Sequence, residues 1–355
     1  MQQTPARLNP RRALVIKLGH IGDVLVTTPV FTALKETWPN LNITALVNQG
    51  TEAMLQNSPY VDEVIALERN HAGRLAELKY QLGLLRRLRS ARFDLSLELS
   101  GGDRGAFLSF IAGAGTRVGF APKKPHVRAR AFHVLADATG TQNHVVETFL
   151  RQVRVLGIEP GDTRLKLYPD PESRDKAASL LKQHGLEAKR FVLLHPTSRW
   201  MFKCWTPEGN AALIRRLGQL GLPVVLTAAP AEKEREFINQ VLEQDLGSAK
   251  VLNLAGQVDL PLLGALIKEA RAFLGVDSAP MHMAAALGTP VLVLFGPSGE
   301  KMWGPWQVPA QVLSGDCAER PCGRDGCDGS KISRCLVELP PEKVVAALDR
   351  LLGGN

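Results

Sequence analysis

The stretch that decides the fold is RAFLGVDSAPMHMAAALGTPVLVLFGPSG at residues 271–299. An apolar run at 272–276 predicts a buried strand, a helix-forming run follows at 281–287, and a second buried strand is expected at 291–295. A strand, a polar turn into a short helix and another strand make half of a parallel α/β unit. Ligands bind to such units beyond the carboxyl ends of the strands. The turn at 277–280 is therefore expected to face a cleft.

The turn itself has the composition of an anion site. Ser278 and Ala279 are small and leave the amide groups of the first helical turn uncovered, and the positive end of the helix dipole points the same way. This pattern predicts a bound phosphate. Asp277 would repel a bare phosphate, so we expect it to accept hydrogen bonds from the hydroxyls of an attached sugar. The alternative is an ordinary capped turn of an α/β fold.

Composition narrows the class of protein. The chain has 355 residues, which is enough for two domains with substantial cores. Its 43 Lys and Arg residues exceed its 35 Asp and Glu residues, and the formal net charge of +8 favours an anionic partner. No apolar run approaches the roughly 18 residues that span a bilayer, and no segment is a convincing signal peptide. Five cysteines form no clear disulfide pattern, so we expect a cytoplasmic protein.

Both halves of the chain alternate apolar, strand-like runs with helical segments, and several runs end in polar or glycine turns. Examples are GHIGD at 19–23 and SGGDR at 100–104. This alternation predicts an α/β protein with two Rossmann-like domains that face each other across a cleft. We expect an N-terminal domain at 1–165, a C-terminal domain at 166–339, and a last helix within 340–355 that is able to pack back on the N-terminal domain.

Three groups of motifs, taken in order, resemble the ADP-heptose lipopolysaccharide heptosyltransferases. They are KLGHIGDVL at 17–25, HPT and FKCW within 195–205, and DSAPMH and FGPS within 277–298. The resemblance covers nearly the whole chain and implies a GT-B fold, an inverting sugar transfer and a Gram-negative source. FKCW and the cysteine-bearing tail at 320–335 are most similar to the members that add a side-branch heptose to the second heptose of the inner core. Members that add the first or second heptose are the alternative.

The resemblance assigns the catalytic base to Asp23, which follows Gly22 in the turn after the first predicted strand. An inverting transfer needs a base that takes the proton of the acceptor hydroxyl as this hydroxyl attacks the anomeric carbon. An aspartate is ionised at neutral pH, so it can accept that proton without special tuning. The alternative is an aspartate that only caps the next helix.

On the donor side, the departing diphosphate needs groups that neutralise its growing charge. Glu232 matches the glutamate with which the family binds the nucleoside, but Glu234 lies two residues away and stays an alternative. His282 lies on the same helix face as Ser278, where it either contacts a phosphate or is structural. We expect the amide of Met281 to contribute to the donor site, and Lys203 to act as a catalytic residue as well. The expected donor site comprises Thr197, Ser198, Lys203, Glu232, Asp277, Ser278, Ala279 and His282.

The resemblance implies ADP-heptose as the donor and, as the acceptor, a phosphorylated lipopolysaccharide inner core at the membrane surface. We therefore expect a peripheral protein on the inner face of the inner membrane. Arginine suits phosphate because its planar fork binds two oxygens, although each basic residue here has the alternative of an ordinary solvated position. The expected acceptor site comprises Gly22, Arg104, Lys123, Lys124, Arg128 and Arg130.

No Asp-x-Asp pair follows a predicted strand, so we expect neither a metal nor another cofactor. The tail residues Cys317, Cys322, Cys327 and Cys335 lack the tighter pair that zinc sites usually contain, and a zinc site is the alternative for them. A rival hypothesis is a non-catalytic protein that binds polyanions through the basic helix predicted at 74–89. That hypothesis does not explain charged residues at strand ends in two domains, and we expect no nucleic-acid partner.

Overall fold

The computed structural model describes residues 8–68, 73–122, 124, 126–138 and 143–353. The chain forms two compact units, which divide between Tyr168 and Pro169. The division falls three residues beyond the predicted boundary, because Lys166 is tied to the N-terminal unit. Its amide donates to Thr28 Oγ1 at 3.1 Å and its ammonium donates to the hydroxyl of Tyr60 at 3.0 Å. Within the described residues, no helix combines the length and the apolar composition needed to cross a membrane.

The described part of the N-terminal unit contains six strands and five α-helices. A 3₁₀ turn at Val127–Ala131 follows the fifth strand. The strands are β1 (Arg12–Lys17), β2 (Asn42–Asn48), β3 (Glu63–Leu67), β4 (Leu95–Glu98), β5 (Thr116–Phe120) and β6 (Val134–Ala136). The helices are α1 (Ile21–Leu25), α2 (Thr28–Thr37), α3 (Arg74–Ser90), α4 (Asp103–Ala112) and α5 (Val145–Arg154).

These strands form one parallel sheet in the order β3-β2-β1-β4-β5-β6. Ala13 of β1 pairs with Ile43 of β2 on one side and with Leu95 of β4 on the other, so β1 is central, and it is buried after its first residue. Helices α3 and α4 cover one face, where Leu84 and Leu108 share a core with residues of β1. The order of the strands reverses between β1 and β4. Ligands bind at the carboxyl ends of strands at such a switch point.

The C-terminal unit repeats this architecture. Its strands are β7 (Val192–His195), β8 (Val224–Leu226), β9 (Val251–Asn253), β10 (Ala272–Val276), β11 (Val291–Leu294) and β12 (Ala310–Leu313). Its helices are α6 (Pro171–Gln183), α7 (Pro207–Gln219), α8 (Glu232–Leu242), α9 (Leu260–Glu269), α10 (Ala279–Leu287), α11 (Glu300–Trp303), α12 (Arg334–Val337) and α13 (Pro341–Gly353).

The second sheet is also parallel, in the order β12-β11-β10-β7-β8-β9. Numbered from its own first strand, it has the same 3-2-1-4-5-6 order as the N-terminal sheet, and its switch point lies between β7 and β10. The stretch that dominates the sequence therefore forms the centre of this unit, as β10, α10 and β11. The prediction of two Rossmann-like α/β domains is confirmed.

The last helix, α13, belongs to the C-terminal unit. Its residues Val344, Ala347 and Leu348 are buried in a core that α7 shares, and it also packs on β11 and β12. Arg216 of α7 contacts both carboxylate oxygens of Asp349, at 2.9 and 3.1 Å. This placement shows what the helix contacts within its own unit, and the expectation that it packs back on the N-terminal domain stays a prediction. The apolar face of the helix is used to complete the core of its own unit.

Gly105 in α4 has no room for a side chain, because a Cβ atom there would overlap the carboxylate of buried Glu98. We predict that Gly105→Ala lowers the free energy of unfolding by about 1–3 kcal/mol, the usual cost of overpacking a core. The matched control is Gly83→Ala in α3, where nothing lies within 4 Å of the added methyl group. That alanine should instead stabilise the protein by about 0.5–1 kcal/mol. Urea unfolding of the full-length protein measures both changes, and effects of the same sign would contradict the predicted overlap.

Candidate active site

Asp23 lies just beyond the carboxyl end of β1, in the first turn of α1. Its Oδ2 atom accepts a hydrogen bond from the His20 amide at 3.0 Å, so the carboxylate does cap the helix. Its Oδ1 atom faces Lys17, whose ammonium lies 3.7 Å away, and the side chain is 26% exposed. Gly19 makes room for it, because a Cβ atom at Gly19 would lie 2.6 Å from the Cβ of Asp23. One carboxylate oxygen thus holds the turn while the other remains available to a ligand.

Lys17 is an almost buried cation beside the candidate base. Its ammonium lies 4.4 Å from the centre of the Phe149 ring and donates to the Leu99 carbonyl at 3.3 Å. Burial lowers the pKa of Lys17, and the negative charges of Asp23 and Glu98 oppose that effect. Lys17 therefore helps to hold the Asp23 carboxylate in place through their opposite charges. Sequence reasoning placed Lys17 in a motif but gave it no role.

Glu98, at the end of β4, is a buried carboxylate that sequence reasoning missed. Its two oxygens accept hydrogen bonds from the amides of Ser100 and Gly101, at 2.8 and 2.9 Å. Burial is the main cause that raises the pKa of Glu98. A signal was present, because Ser96, Glu98 and Ser100 alternate with leucines and so lie on one face of the strand. Ser100 also accepts from the Leu18 amide at 2.6 Å, which ties the end of β4 to the turn after β1.

The predicted acceptor residues lie mostly around the start of α4. The 3₁₀ turn at Val127–Ala131 packs against α4, and Arg128 Nη1 lies 3.7 Å from Asp103 Oδ1. Arg104, Lys124 and Arg130 are exposed. The structure thus brings Arg104, Arg128 and Arg130 together on α4 and on the turn that packs against it. Gly22 lies apart from them in the first turn of α1, and Lys123 lies outside the described residues.

In the C-terminal unit, Lys203 and Asp277 form one ion pair. Lys203 ends a 3₁₀ turn that follows β7, Asp277 directly follows β10, and these two strands are neighbours in the sheet. The ammonium lies 2.6 Å from Asp277 Oδ2, with the two side chains 21% and 10% exposed. The predicted cation for the leaving group therefore touches the predicted carboxylate for the sugar. An ammonium has three donors, so two remain for a ligand.

The start of α10 has fewer available amides than the sequence indicated. Ser278 is the N-cap residue, but its hydroxyl donates to the Val276 carbonyl at 3.3 Å and does not cap the helix. The Met281 amide donates to the Ser278 carbonyl at 3.1 Å, which corrects its assignment as a phosphate donor. Pro280 has no N–H group. An anion bound here would therefore depend on the Ser278 and Ala279 amides and on the helix dipole.

Thr197 and Glu234 form a buried pair that changes two assignments. Thr197 is fully buried and its hydroxyl donates to Glu234 Oε2 at 2.6 Å, so this hydroxyl is committed to the protein interior and not to a phosphate. Glu234 also accepts from the Ala229 amide at 3.2 Å. Its carboxylate therefore fixes the loop after β8. Of the two candidate glutamates, Glu234 is therefore the one whose carboxylate is already hydrogen-bonded within the unit.

Glu232, by contrast, is exposed in the first turn of α8. It lines an open cavity of about 370 Å³, which leaves its carboxylate available to a ligand. The structure therefore favours Glu232 over Glu234 as the residue that can contact a nucleoside. The cavity is lined by Glu232, Arg235, Glu236, Asn239, Asn253 and Ala255.

Aromatic packing holds the loop that carries Lys203. Trp205 is buried and donates from Nε1 to the Leu339 carbonyl at 3.1 Å, whereas Phe202 lies against Trp200 with ring centres 6.2 Å apart. Ser198 is buried at the base of the loop, where its Oγ accepts from the Trp200 amide at 3.3 Å. Both ends of the loop are thus anchored.

Two histidines of the motifs are interior residues. His282 is buried in α10 and packs edge-on against Trp303, with ring centres 6.4 Å apart, which fits its structural alternative. His195 ends β7, and its Nδ1 lies 3.0 Å from Thr227 Oγ1. Burial lowers the pKa of His195 to about 4, so its ring is neutral at physiological pH.

The cysteines are all free thiols. Cys204 is buried, and burial raises its pKa to about 12, so it is unreactive. Cys335 is also buried in the tail, whereas Cys317 is exposed. Within the part of the chain that the structure describes, no three His, Cys, Asp or Glu side chains are grouped so that they would hold a metal ion.

Solved structures share this architecture. The glycosyl transferase family 9 structure from Veillonella parvula DSM 2008 matches with a TM-score of 0.82 at 22% identity, over 97% of this chain and 98% of that chain. The structure of Escherichia coli ADP-heptose lps heptosyltransferase II matches with a TM-score of 0.76 at 23% identity, over 96% of this chain and 98% of that chain. The fold is therefore that of a GT-B glycosyltransferase.

Sequence comparison adds the family. Residues 82–332 match the model of glycosyltransferase family 9 (heptosyltransferase). The chain is 32% identical over 334 residues to lipopolysaccharide heptosyltransferase 3 of Escherichia coli (strain K12), with 93% of this chain and 95% of that protein covered. It is 25% identical to lipopolysaccharide heptosyltransferase 2 of the same strain. The chain belongs to glycosyltransferase family 9, the heptosyltransferases, as its motifs predicted.

The buried His195 should make stability depend on pH. Its pKa is about 4 in the fold against 6.5 in an unfolded chain, so its contribution to stability is present above pH 6.5 and is lost as the pH falls through 4. That difference corresponds to about 3 kcal/mol. We predict that, between pH 7 and pH 4, the wild type loses about 3 kcal/mol more than His195→Asn, which does not titrate. Denaturant unfolding across this range provides the measurement, and parallel curves would show that His195 is not the titrating group.

Proposed function

We propose that the protein is an inverting glycosyltransferase of the heptosyltransferase III type. It transfers L-glycero-D-manno-heptose from ADP-heptose to the inner-core heptose of lipopolysaccharide. The observation that carries the proposal is the Lys203–Asp277 pair beside the N-terminus of α10, in a chain of family 9. The 32% identity to an Escherichia coli heptosyltransferase 3 along almost its whole length supports the type.

The donor binds to the C-terminal unit in this proposal. Its diphosphate lies at the Ser278 and Ala279 amides, where the helix dipole and the Lys203 ammonium attract it. Asp277 holds Lys203 in place and accepts a hydrogen bond from a sugar hydroxyl with its other oxygen. Glu232 accepts from the ribose hydroxyls at the mouth of its cavity. As the bond to the anomeric carbon breaks, the charge on the leaving diphosphate grows and Lys203 stabilises it.

The acceptor binds to the N-terminal unit. Its attacking hydroxyl gives its proton to Asp23, whose Oδ1 faces Lys17 while Oδ2 holds the helix cap. Phosphates of the inner core are neutralised by the cations around α4, among them Arg104 and Arg128. The acceptor is anchored in a membrane, so the enzyme works as a peripheral protein on the inner face of the inner membrane of a Gram-negative bacterium. No metal takes part in this chemistry.

A panel of acceptors tests the proposed type. The protein is incubated with ADP-heptose and lipopolysaccharide cores truncated at successive inner-core sugars, and mass spectrometry reads the addition of heptose. We expect addition to a core that carries two heptoses and lacks the side branch. Addition only to cores with no heptose or one heptose would reassign the enzyme to type I or II. Absence of transfer, with retention on heparin that millimolar ADP does not change, would favour the polyanion-binding rival.

The role of Asp23 as base is tested by Asp23→Asn. The amide retains an oxygen that can cap α1, so we predict a folded protein that binds ADP nearly normally and has lost transfer. The matched control is Asp94→Asn, because Asp94 also accepts from backbone amides, those of Arg11 and Arg12 at 2.7 and 3.0 Å. The control should keep its activity. Near-normal turnover of folded Asp23→Asn would reduce Asp23 to a helix cap.

The absence of a metal requirement is tested with EDTA. We expect chelation to leave the rate of transfer unchanged, because Lys203 and the start of α10 supply the positive charge that a metal would otherwise provide. Heptose transfer is measured before and after chelation. Loss of turnover that magnesium or manganese restores would show that a metal site exists.

Lys203→Ala should lower turnover more than it weakens ADP-heptose binding. The loss of turnover should be about 100- to 1000-fold, as for the removal of one oxyanion-type contact. Lys203→Arg should rescue only in part. Because Lys203→Ala also leaves Asp277 unpaired, the double variant with Asp277→Asn separates the two causes. Turnover should stay low in the double variant. The control is Lys182→Ala, which removes an exposed lysine of α6 and should keep normal turnover. Recovery of turnover in the double variant, measured with calorimetric donor binding, would show that Lys203 only neutralises Asp277.

A further inference from the structure

Large apolar side chains are exposed together on the N-terminal unit. Of thirteen such exposed side chains in the described part of the chain, six lie on α3, on α4 and on the 3₁₀ turn at Val127–Ala131. Leu75 is 84% exposed, Val127 70% and Phe107 53%. We call this group the apolar-basic face. Its apolar members are Leu75, Leu78, Leu82, Phe107, Phe110 and Val127.

The three elements pack side by side. Helix α3 packs against α4, and α4 packs against the 3₁₀ turn. The guanidinium of Arg89 in α3 lies over Gly113 at the end of α4, where a Cβ atom would overlap it. The inner side of α3 is used by the core, through Leu84 and Leu88. Packing of the fold therefore does not require the leucines on its outer side.

The outer side of α3 has a regular pattern. Leu75, Leu78 and Leu82 are spaced by three and four residues and so lie on one stripe of the helix. Lys79 and Arg86 fall on the same stripe, four residues after Leu75 and Leu82. The whole helix contains five basic residues and one acidic residue, a net charge of +4. The basic residues of α3 are Arg74, Lys79, Arg86, Arg87 and Arg89, and Arg104, Lys124, Arg128 and Arg130 extend the positive charge over α4 and the turn.

We propose that the apolar-basic face docks on the surface of an anionic phospholipid bilayer. Leucine and phenylalanine side chains enter the boundary between headgroups and acyl chains, while the cations of α3 contact lipid phosphates, as in helices that lie flat on membranes. The charge pattern is complementary to anionic lipid. Nucleic acid fits less well, because four of the six apolar side chains are aliphatic and offer no ring on which bases stack, which leaves only Phe107 and Phe110. The proposed transfer reaction does not specify which surface of the protein contacts the membrane.

Sedimentation with lipid vesicles tests the proposal on the full-length protein. Vesicles of phosphatidylcholine alone are compared with vesicles that also contain phosphatidylglycerol, and we expect binding to the anionic vesicles that weakens with salt. Leu78→Asn with Leu82→Asn should weaken this binding about tenfold or more, because apolar area is lost from the boundary. Lys79→Gln with Arg86→Gln should weaken it about fivefold for each charge. Leu220→Asn with Ile332→Asn, which changes two exposed apolar residues of the C-terminal unit, should bind like the wild type.

Vesicle binding does not involve heptose, so its outcome is independent of the proposed reaction. The leucine variant should retain ADP binding and transfer to a soluble truncated acceptor, which also shows that it is folded. The highly exposed Leu75→Asn is the variant of choice if the pair destabilises the protein. Equal binding of wild type and variants to anionic vesicles would overturn the proposal. The proposal would also be overturned if the protein bound to no vesicles, or if the variants lost binding to RNA but not to vesicles.

Discussion

Both sheets are parallel and their central strands are buried, so the charged groups on these strands lie where the strands begin or end. The residues of β7 and β10 are buried throughout, and so are those of β1 after its first residue. A charge in the middle of such a strand would lose its hydration without compensation. Lys17 and Asp23 therefore collect at the carboxyl edge of one sheet, and Lys203 and Asp277 at that of the other. The proposed chemistry uses groups at these edges.

At these edges the charges are partly removed from water and hold one another in place. Lys203 lies 2.6 Å from Asp277, and Lys17 interacts with the charges of Asp23 and Glu98. Burial lowers the pKa of Lys17 and raises that of Glu98, because desolvation disfavours the charged form of each group. The attraction between the opposite charges acts against this effect. Each pair also restricts the side chains to one geometry. A transfer reaction benefits from such preorganised groups.

Helix α4 connects the N-terminal edge to the outer surface. It begins after the turn at Gly101 and Gly102, next to the Glu98 carboxylate, and its inner side packs on the sheet. Its outer side presents Phe107 and Phe110. A ten-residue helix is about 15 Å long. A bilayer on the apolar-basic face would therefore lie close to the edge at which the acceptor is proposed to bind, which suits an acceptor anchored in that bilayer.

The sequence by itself determined the elements and the strand ends. Apolar or leucine-rich runs located β1, β4, β7 and β10, and Gly19, Ser100, His195-Pro196 and Asp277 located the turns after them, because burial and turn chemistry are local properties. It also indicated the family through Asp23, Lys203 and Asp277 in their motifs. Only the tertiary structure decided which polar groups are already hydrogen-bonded or ion-paired within the protein. Thr197 reaches Glu234 across 37 residues and Lys203 reaches Asp277 across 74, and no local pattern encodes such pairs. Glu98 and the place of α13 were likewise decided by packing, since the partner that buries a side chain comes from a distant part of the chain.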